Sequence, residues 1–163
     1  MSEVIKIITK NGKEIEITKK AAELSELIKS SIKASEKDAP LTLGELDDVN
    51  GEKIKEYLTH FNGVAPNEIE KPLTSNEMKK ITDEWSANFI DKMSIEEIVN
   101  LSVAANYMQI DCLLDLCCAK IASLCKDKSE EEIYKAFNIT EPMTEEEKKK
   151  IRECNKWMEE NFK

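Results

Sequence analysis

Residues 94–139 decide the fold, because they contain three helical segments in direct succession. Their sequence is SIEEIVNLSVAANYMQIDCLLDLCCAKIASLCKDKSEEEIYKAFNI. Two segments begin with a serine followed three residues later by glutamate, the spacing of a capping box. These pairs are Ser94 with Glu97 and Ser129 with Glu132. Asp111 is a good N-cap residue for the segment between them. We therefore predict helices over 94–108, 111–126 and 129–138.

The helix that begins near Asp111 is too apolar to need only one neighbour. At about 100° per residue its apolar side chains form two adjacent rows. The first row is Leu113, Leu116, Cys117 and Leu124, and the second is Leu114, Cys118, Ile121 and Cys125. A surface helix needs an apolar stripe of only about 100°, whereas this arc covers about half the cylinder. We expect one row to face its own domain and the other to face more of this chain, a second copy or a different protein.

The composition limits the classes of partner. A chain of 163 residues, 40% hydrophobic and 35% charged, is typical of a globular protein. Its net charge of −9 argues against a phosphate-binding surface, so we expect no nucleic-acid partner. We find no signal-peptide pattern and no apolar run near the ~20 residues of a membrane-spanning helix. We therefore expect no membrane association and a cytoplasmic and nuclear location, where the five cysteines stay reduced.

The N-terminal half predicts a small mixed domain. Alternating isoleucines on both sides of Asn11-Gly12 indicate a β-hairpin, because this dipeptide tolerates the positive φ of a tight turn. Residues 40–43 predict a short edge strand. Helical patterns follow caps at Thr18 and Asn50, and the second of these helices ends at Asn62-Gly63. The predicted fold class is therefore α/β, a small three-stranded sheet packed with helices.

The sequence after this region predicts a loop and then more helix. Residues 63–75, with two prolines and mixed polar residues, indicate a surface loop. A helix is expected to resume near Asn76. Close to the C-terminus, Thr144 and Glu147 have the capping-box spacing again and predict a last helix.

The sequence lacks the residue patterns typical of catalytic, cofactor-binding or metal sites. His60 is the only histidine and lies on a different predicted helix from the cysteines, so a thiol nucleophile has no evident basic partner. Cys117 and Cys118 lie among Leu and Ala, an apolar setting that raises a thiol pKa. No Cys-x-x-Cys pair of the kind found in zinc sites occurs. None of the four glycines belongs to a Gly-Lys-Ser/Thr motif of a phosphate-binding loop. We therefore expect a non-enzymatic protein without cofactors.

Five short motifs make the second half recognisable. They are Ala104-Ala105-Asn106-Tyr107-Met108, Leu113-Leu114-Asp115, Lys128-Ser129-Glu130-Glu131-Glu132-Ile133, Phe137-Asn138-Ile139 and Glu153-Cys154-Asn155-Lys156-Trp157. With these motifs in this order, residues 81–157 resemble the Skp family. The members of that family are the small adaptors of the Skp, cullin and F-box ubiquitin ligases. A weaker resemblance extends through the N-terminal hairpin and residues 25–29.

The resemblance implies a division of the chain and two contact surfaces. It implies a BTB/POZ-type domain over 1–126 and a C-terminal helical F-box-binding extension over 127–163. It implies F-box contacts at Leu114, Cys118, Ile121, Cys125, Ile133, Phe137, Asn138, Ile139 and Trp157. It implies cullin contacts at Asn106 and Tyr107. Four of the F-box positions are the second row of the Asp111 helix, which the apolar pattern identified independently.

The leading hypothesis is an adaptor that joins a cullin to an F-box protein by apolar helix packing. Because the F-box surface would be uncovered without its partner, we expect the free protein to be partly mobile after Lys126 and to form a homodimer. The alternative is a self-associating BTB/POZ scaffold without a ubiquitin-ligase role, and a thiol-dependent enzyme is the third hypothesis. The chain departs from the family pattern in a short acidic loop at 35–38. It also has Glu145 at the position where some members carry a proline that can be hydroxylated, so we expect no proline hydroxylation at this position.

Overall fold

In the computed structural model the chain divides into two compact units, Met1–Asp127 and Lys128–Lys163. The structure describes residues 3–34, 39–141 and 143–161, with side chains of the last helix as far as Trp157. The acidic loop predicted at 35–38 lies outside the described residues. Each unit is described below by itself.

The first unit begins with a three-stranded sheet in the order β2-β1-β3. Strands β1 (Val4–Ile8) and β2 (Glu14–Thr18) form the predicted antiparallel hairpin, with Ile7 opposite Ile15. Strand β3 (Leu41–Thr42) is the predicted short edge strand, and it pairs in parallel with β1. Alternate isoleucines of the hairpin are buried, so one face of the sheet is covered by helices.

The helices follow the sheet in chain order and confirm the α/β class. Those of the first unit are α1 (Lys19–Ala22), α2 (Glu26–Ala34), α3 (Asp48–Phe61), α4 (Met78–Ile81), α5 (Glu84–Asp91), α6 (Ile95–Tyr107) and α7 (Asp111–Cys125). Those of the second unit are α8 (Glu130–Ala136) and α9 (Glu145–Asn161). The predicted loop over 63–75 contains no helix or strand.

Side-chain caps set most of the helix starts that the sequence predicted. The hydroxyls of Thr18, Ser94, Ser129 and Thr144 each accept an N–H three residues later. At Ser94, Ser129 and Thr144 a glutamate carboxylate in turn accepts the N–H of the cap residue. Each reciprocal pair satisfies two N–H groups that a helix start would otherwise leave unpaired.

Two predicted N-caps and the continuity of one predicted helix are wrong, although α7 begins at Asp111 and a helix resumes close to Asn76 as predicted. Asn50 is buried inside α3, because Asp47 accepts the Asn50 N–H at 2.9 Å and starts the helix earlier. Asp111 is the first helical residue of α7, and its N-cap position belongs to Ile110, which has no capping side chain. The helix expected from Asn76 is two helices, because the chain becomes extended at Thr82 and Asp83 then caps α5.

The turn between α6 and α7 is closed by hydrogen bonds and fixed in the core. Gln109 has a φ of 52°, and its N–H and that of Ile110 bond back to the carbonyls of Asn106 and Ala105. This is the pattern of a Schellman helix end. The buried Ser25 hydroxyl donates to the Met108 carbonyl at 2.6 Å and accepts the Ile28 N–H that starts α2. One hydroxyl therefore links the start of α2 to the end of α6.

Replacing Ser25 by Ala is expected to destabilise the first unit by about 1–3 kcal/mol, because it leaves the buried Met108 carbonyl and Ile28 N–H without this partner. Urea denaturation measures the change. Ser30→Ala is the control, since the Ser30 hydroxyl donates to Leu27 on the exposed side of the same helix. Equal effects of the two substitutions would contradict the role assigned to Ser25.

A second prediction concerns the start of α6. The N–H of Ser94 and the ammonium of Lys53, at 2.8 and 2.9 Å, lower the pKa of Glu97 from 4.5 to about 2. The folded state therefore favours the carboxylate. The stabilisation is fully present above the unfolded pKa and is lost as the pH falls through about 2.

We expect the stability difference between the native chain and Glu97→Gln to be constant above about pH 5 and to shrink towards pH 2. Chemical denaturation at a series of pH values measures it. Glu96→Gln removes the same charge from the same turn outside the capping box and serves as the control. Parallel curves for the native chain and Glu97→Gln across this range would refute the assignment.

Candidate functional site

The inner side of α7 is anchored in the core of the first unit. Leu113, Leu116 and Cys117 are buried, as the first predicted row requires. The buried arc also includes Ala119 and Ser123, small residues that the apolar pattern did not select. Leu124, expected in this row, is only half-buried, although it follows Cys117 by seven residues on the same side of the helix. The inner side therefore fixes the orientation of the whole helix.

The second row of α7 is only partly covered. Leu114 and Ile121 are half-buried and pack against the edge of the core. Cys125 is half-buried, and Cys118 in the middle of the row is exposed. The row thus presents a partly open apolar strip on a helix whose adjacent side is anchored in the core, as the sequence indicated. An adjacent helix of another protein is the kind of element that such a strip fits.

The other residues predicted to contact an F-box lie in the second unit. Ile133 and Phe137 are half-buried, Asn138 is exposed, and Ile139 is 44% exposed. Trp157 on α9 is 56% exposed. Within this unit Lys148 of α9 contacts Glu130 of α8 at 2.7 Å. The nine residues are therefore distributed over both units, four on α7 and five after it.

Asn138 has a structural role that the sequence analysis did not assign. Its φ is 53°, and the N–H groups of Asn138 and Ile139 bond to the carbonyls of Lys135 and Tyr134 at 3.3 and 2.8 Å. This closes α8 with a Schellman motif, for which asparagine is the usual alternative to glycine. The motif fixes the direction in which the chain leaves α8, and thus the position of Ile139.

The outer side of α6 holds the two residues predicted to contact a cullin. Asn106 is exposed and Tyr107 is half-buried. Val99 and Val103 are 42% and 66% exposed and share this side, because they precede Asn106 by seven and three residues. The sequence analysis missed both valines. The signal was their spacing, since Ile98, Leu101 and Ala105 already account for the buried side of α6.

The environments of two thiols, those of Cys112 and Cys117, argue against nucleophilic chemistry at these positions. Burial raises the pKa of Cys117 to about 12, and burial also raises that of Cys112. A nucleophilic cysteine needs the opposite shift. His60, the only histidine, is exposed and stacks on Trp85 with a ring distance of 3.7 Å. Within the described residues no cluster of His, Cys, Asp and Glu has the arrangement of a metal site.

None of the helices in the described part of the chain combines the length and the apolar character that crossing a membrane requires.

Comparisons with known proteins find relatives of this sequence. The model of the Skp1 family, dimerisation domain, matches residues 111–158. A protein of Tetrahymena thermophila named S-phase kinase-associated protein 1 homolog is 40% identical over 158 residues, 96% of this chain and 94% of its own length.

Fungal relatives give the same result. Proteins named E3 ubiquitin ligase complex SCF subunit sconC, from Arthroderma benhamiae and Aspergillus fumigatus, are each 32% identical over 157 residues. The match covers 96% of this chain and 95% and 98% of theirs. Similarity of this extent, over nearly the full length of all the chains compared, shows that this chain belongs to the Skp1 family.

Proposed function

We propose that this chain is the adaptor subunit of an SCF-type E3 ubiquitin ligase, which joins a cullin to an F-box protein and performs no catalysis itself. The observation that carries the proposal is the partly open apolar strip of α7, on a helix whose other side is buried in the core. The names of the relatives support it, because they describe subunits of SCF ligase complexes. Binding would bury apolar area, which contributes about 25 cal/mol per Å².

In this proposal the F-box protein packs against the second row of α7 and the apolar residues of the second unit. Leu114 and Ile121 supply the part nearest the core, and Cys118 supplies the exposed centre. Trp157 is the aromatic anchor, since large exposed aromatic residues commonly dominate binding energy at interfaces. The division into a BTB/POZ-type domain and an F-box-binding extension belongs to the same proposal.

The cullin contacts the outer side of α6 in this proposal. Asn106 supplies polar groups, and Val99 and Val103 supply an apolar stripe along the same side. Helices α6 and α7 are joined by a closed turn and pack against each other in one unit. A rigid pair of helices with two different outer sides is suited to hold two partners in a fixed relation. We place this function in the cytoplasm and nucleus.

The second candidate is a homodimeric scaffold in which another copy covers the same strip. The description of the matching family model, a dimerisation domain over residues 111–158, favours it. Both candidates use the α7 strip, so self-association of the free chain is compatible with the adaptor role. They differ in whether an F-box protein displaces the second copy, which sedimentation of the chain with and without an F-box domain measures.

Cys118→Glu is expected to weaken F-box binding by at least about 100-fold, because it buries an unpaired charge in an apolar contact. The position is exposed in the free chain, so the fold should tolerate the substitution. Leu114→Asp should have the same effect at the half-buried end of the strip. Calorimetric titration with an F-box domain measures the loss, and cullin binding should remain unchanged. Val64→Glu charges an exposed valine elsewhere and is the control. Unchanged F-box affinity in Cys118→Glu would contradict the proposed surface.

Val103→Lys is expected to weaken cullin binding at least about tenfold and to leave F-box binding unchanged, because it places a charge in the apolar stripe of α6. Val49→Lys is the matched control, since Val49 is also a helical valine and is 63% exposed, close to the 66% of Val103. Asn106→Lys with Tyr107→Lys should extend the loss. Surface-immobilised cullin N-terminal domain provides the measurement. A variant that stays folded but loses both partners would refute two separate surfaces.

A further inference from the structure

Strand β2 is an edge of the sheet, since β1 is the only strand beside it among the described residues. An edge strand directs half of its backbone N–H and C=O groups away from the sheet, where they can pair with a further strand. The strand covers Glu14–Thr18, and its exposed residues are Glu14 and Glu16. The edge is therefore long enough to form several backbone hydrogen bonds with an added segment.

The pairing of the hairpin shows which residues of β2 point outward. Next to the turn, the Thr9 N–H donates to the Lys13 carbonyl at 3.0 Å. In an antiparallel pair the hydrogen-bonded positions alternate along the strand, so the odd-numbered residues of β2 are the ones that bond to β1. The backbone groups of Glu14 and Glu16 consequently point away from β1.

These outward groups are unpaired in the part of the chain that the structure describes. No backbone or side-chain hydrogen bond involves the backbone N–H or C=O of Glu14 or Glu16 there. Their side chains are 50% and 56% exposed, so water reaches this edge. Two donors and two acceptors are therefore accessible to a partner that approaches in the plane of the sheet.

The charge at this edge selects the kind of segment that can pair. Glu14 and Glu16 lie on the outer face of the sheet, where Lys6 of β1 contacts their carboxylates at 2.6 and 3.7 Å. One ammonium group thus serves two carboxylates, and it does so from the β1 side. Residues opposite each other on neighbouring strands stabilise the pair when their charges are opposite and destabilise it when they are alike. A strand with Lys or Arg opposite each glutamate continues the alternation of charge across the sheet.

A second copy of this chain fits the same edge poorly. In an antiparallel pair of two β2 strands, the hydrogen-bonded positions must join residues whose backbone groups point outward. A register that uses both Glu14 and Glu16 of each copy therefore places glutamate opposite glutamate. The charges that favour a basic segment thus disfavour self-pairing, which is a common way for proteins to protect an edge strand.

We propose that the edge of β2 binds an extended segment of another protein that carries Lys or Arg at alternate positions. The segment adds a fourth strand to the sheet. Its basic residues exchange backbone hydrogen bonds with Glu14 and Glu16, and their side chains contact the two carboxylates. β-Branched residues between them favour the extended conformation. The site is independent of the adaptor role, because it uses neither the strip of α7 nor the outer side of α6.

The test is an NMR titration of the full chain with three blocked hexapeptides. The basic probe is acetyl-Thr-Lys-Val-Lys-Val-Thr-amide. The second peptide carries N-methyl groups on both lysines, which keeps the charge and removes the N–H groups that would pair with β2. The third has glutamate in place of both lysines. We expect saturable shifts of the Glu14 and Glu16 amides with the basic probe below about 5 mM, and at least about tenfold weaker binding of the other two.

Amide hydrogen exchange distinguishes strand pairing from charge attraction. In the free chain the amides of Ile15 and Ile17 bond to β1 and should exchange slowly, whereas those of Glu14 and Glu16 should exchange rapidly. The basic probe at about 90% saturation should slow the exchange of the Glu14 and Glu16 amides about tenfold, because only the unbound fraction exchanges.

Charge variants test the contribution of the side chains. Glu14→Gln with Glu16→Gln keeps the backbone edge and removes both carboxylates, so it should weaken binding of the basic probe about fivefold. Glu56→Gln with Glu70→Gln removes the same charge from exposed positions outside the sheet and is the control. Equal affinities of the two double variants would contradict the assigned charge pairs.

Three further results would overturn the proposal. Equal affinity of the N-methylated and unmodified basic peptides would show charge attraction without strand pairing. Slow exchange of the Glu14 and Glu16 amides in the free chain would show that the edge is already covered, and dependence of that protection on chain concentration would identify a second copy as the cover. Absence of saturable shifts up to about 5 mM basic probe would show that the edge does not accept a strand.

Discussion

The burial of one side of α7 is the constraint on which the rest of the molecule depends. Leu113, Leu116 and Cys117 are packed into the core, and Ala119 and Ser123 extend the buried arc with small side chains. This packing fixes the rotation of the helix about its axis. Because an α-helix places residues three and four apart on one side, fixing the inner row also fixes where Leu114 and Cys118 point.

The turn between α6 and α7 transfers this constraint to the second surface. Gln109 in the left-handed region and the Ser25 hydroxyl close the turn, so α6 leaves the core in a fixed direction relative to α7. The outer sides of the two helices then differ in chemistry. The outer side of α7 presents the thiol of Cys118 and aliphatic side chains such as Leu114. The outer side of α6 presents Val99 and Val103 beside the exposed amide of Asn106. Two different surfaces on one rigid pair suit the bridging function proposed for this chain.

The sequence by itself determined the hairpin, the capped helices and the two-row character of α7, because these depend on interactions within a few residues or on periodicity. The family resemblance, which the comparisons confirmed, likewise rested on short ordered motifs. Only the tertiary structure decided that Asp47 rather than Asn50 caps α3, that α4 and α5 are separate, and that Leu124 is only half-buried. It alone revealed the exposed valines of α6. Exposure depends on which distant segments pack together, and local sequence does not encode those contacts. Asp47 and Asn50 are both good N-cap residues, so local sequence does not choose between them either.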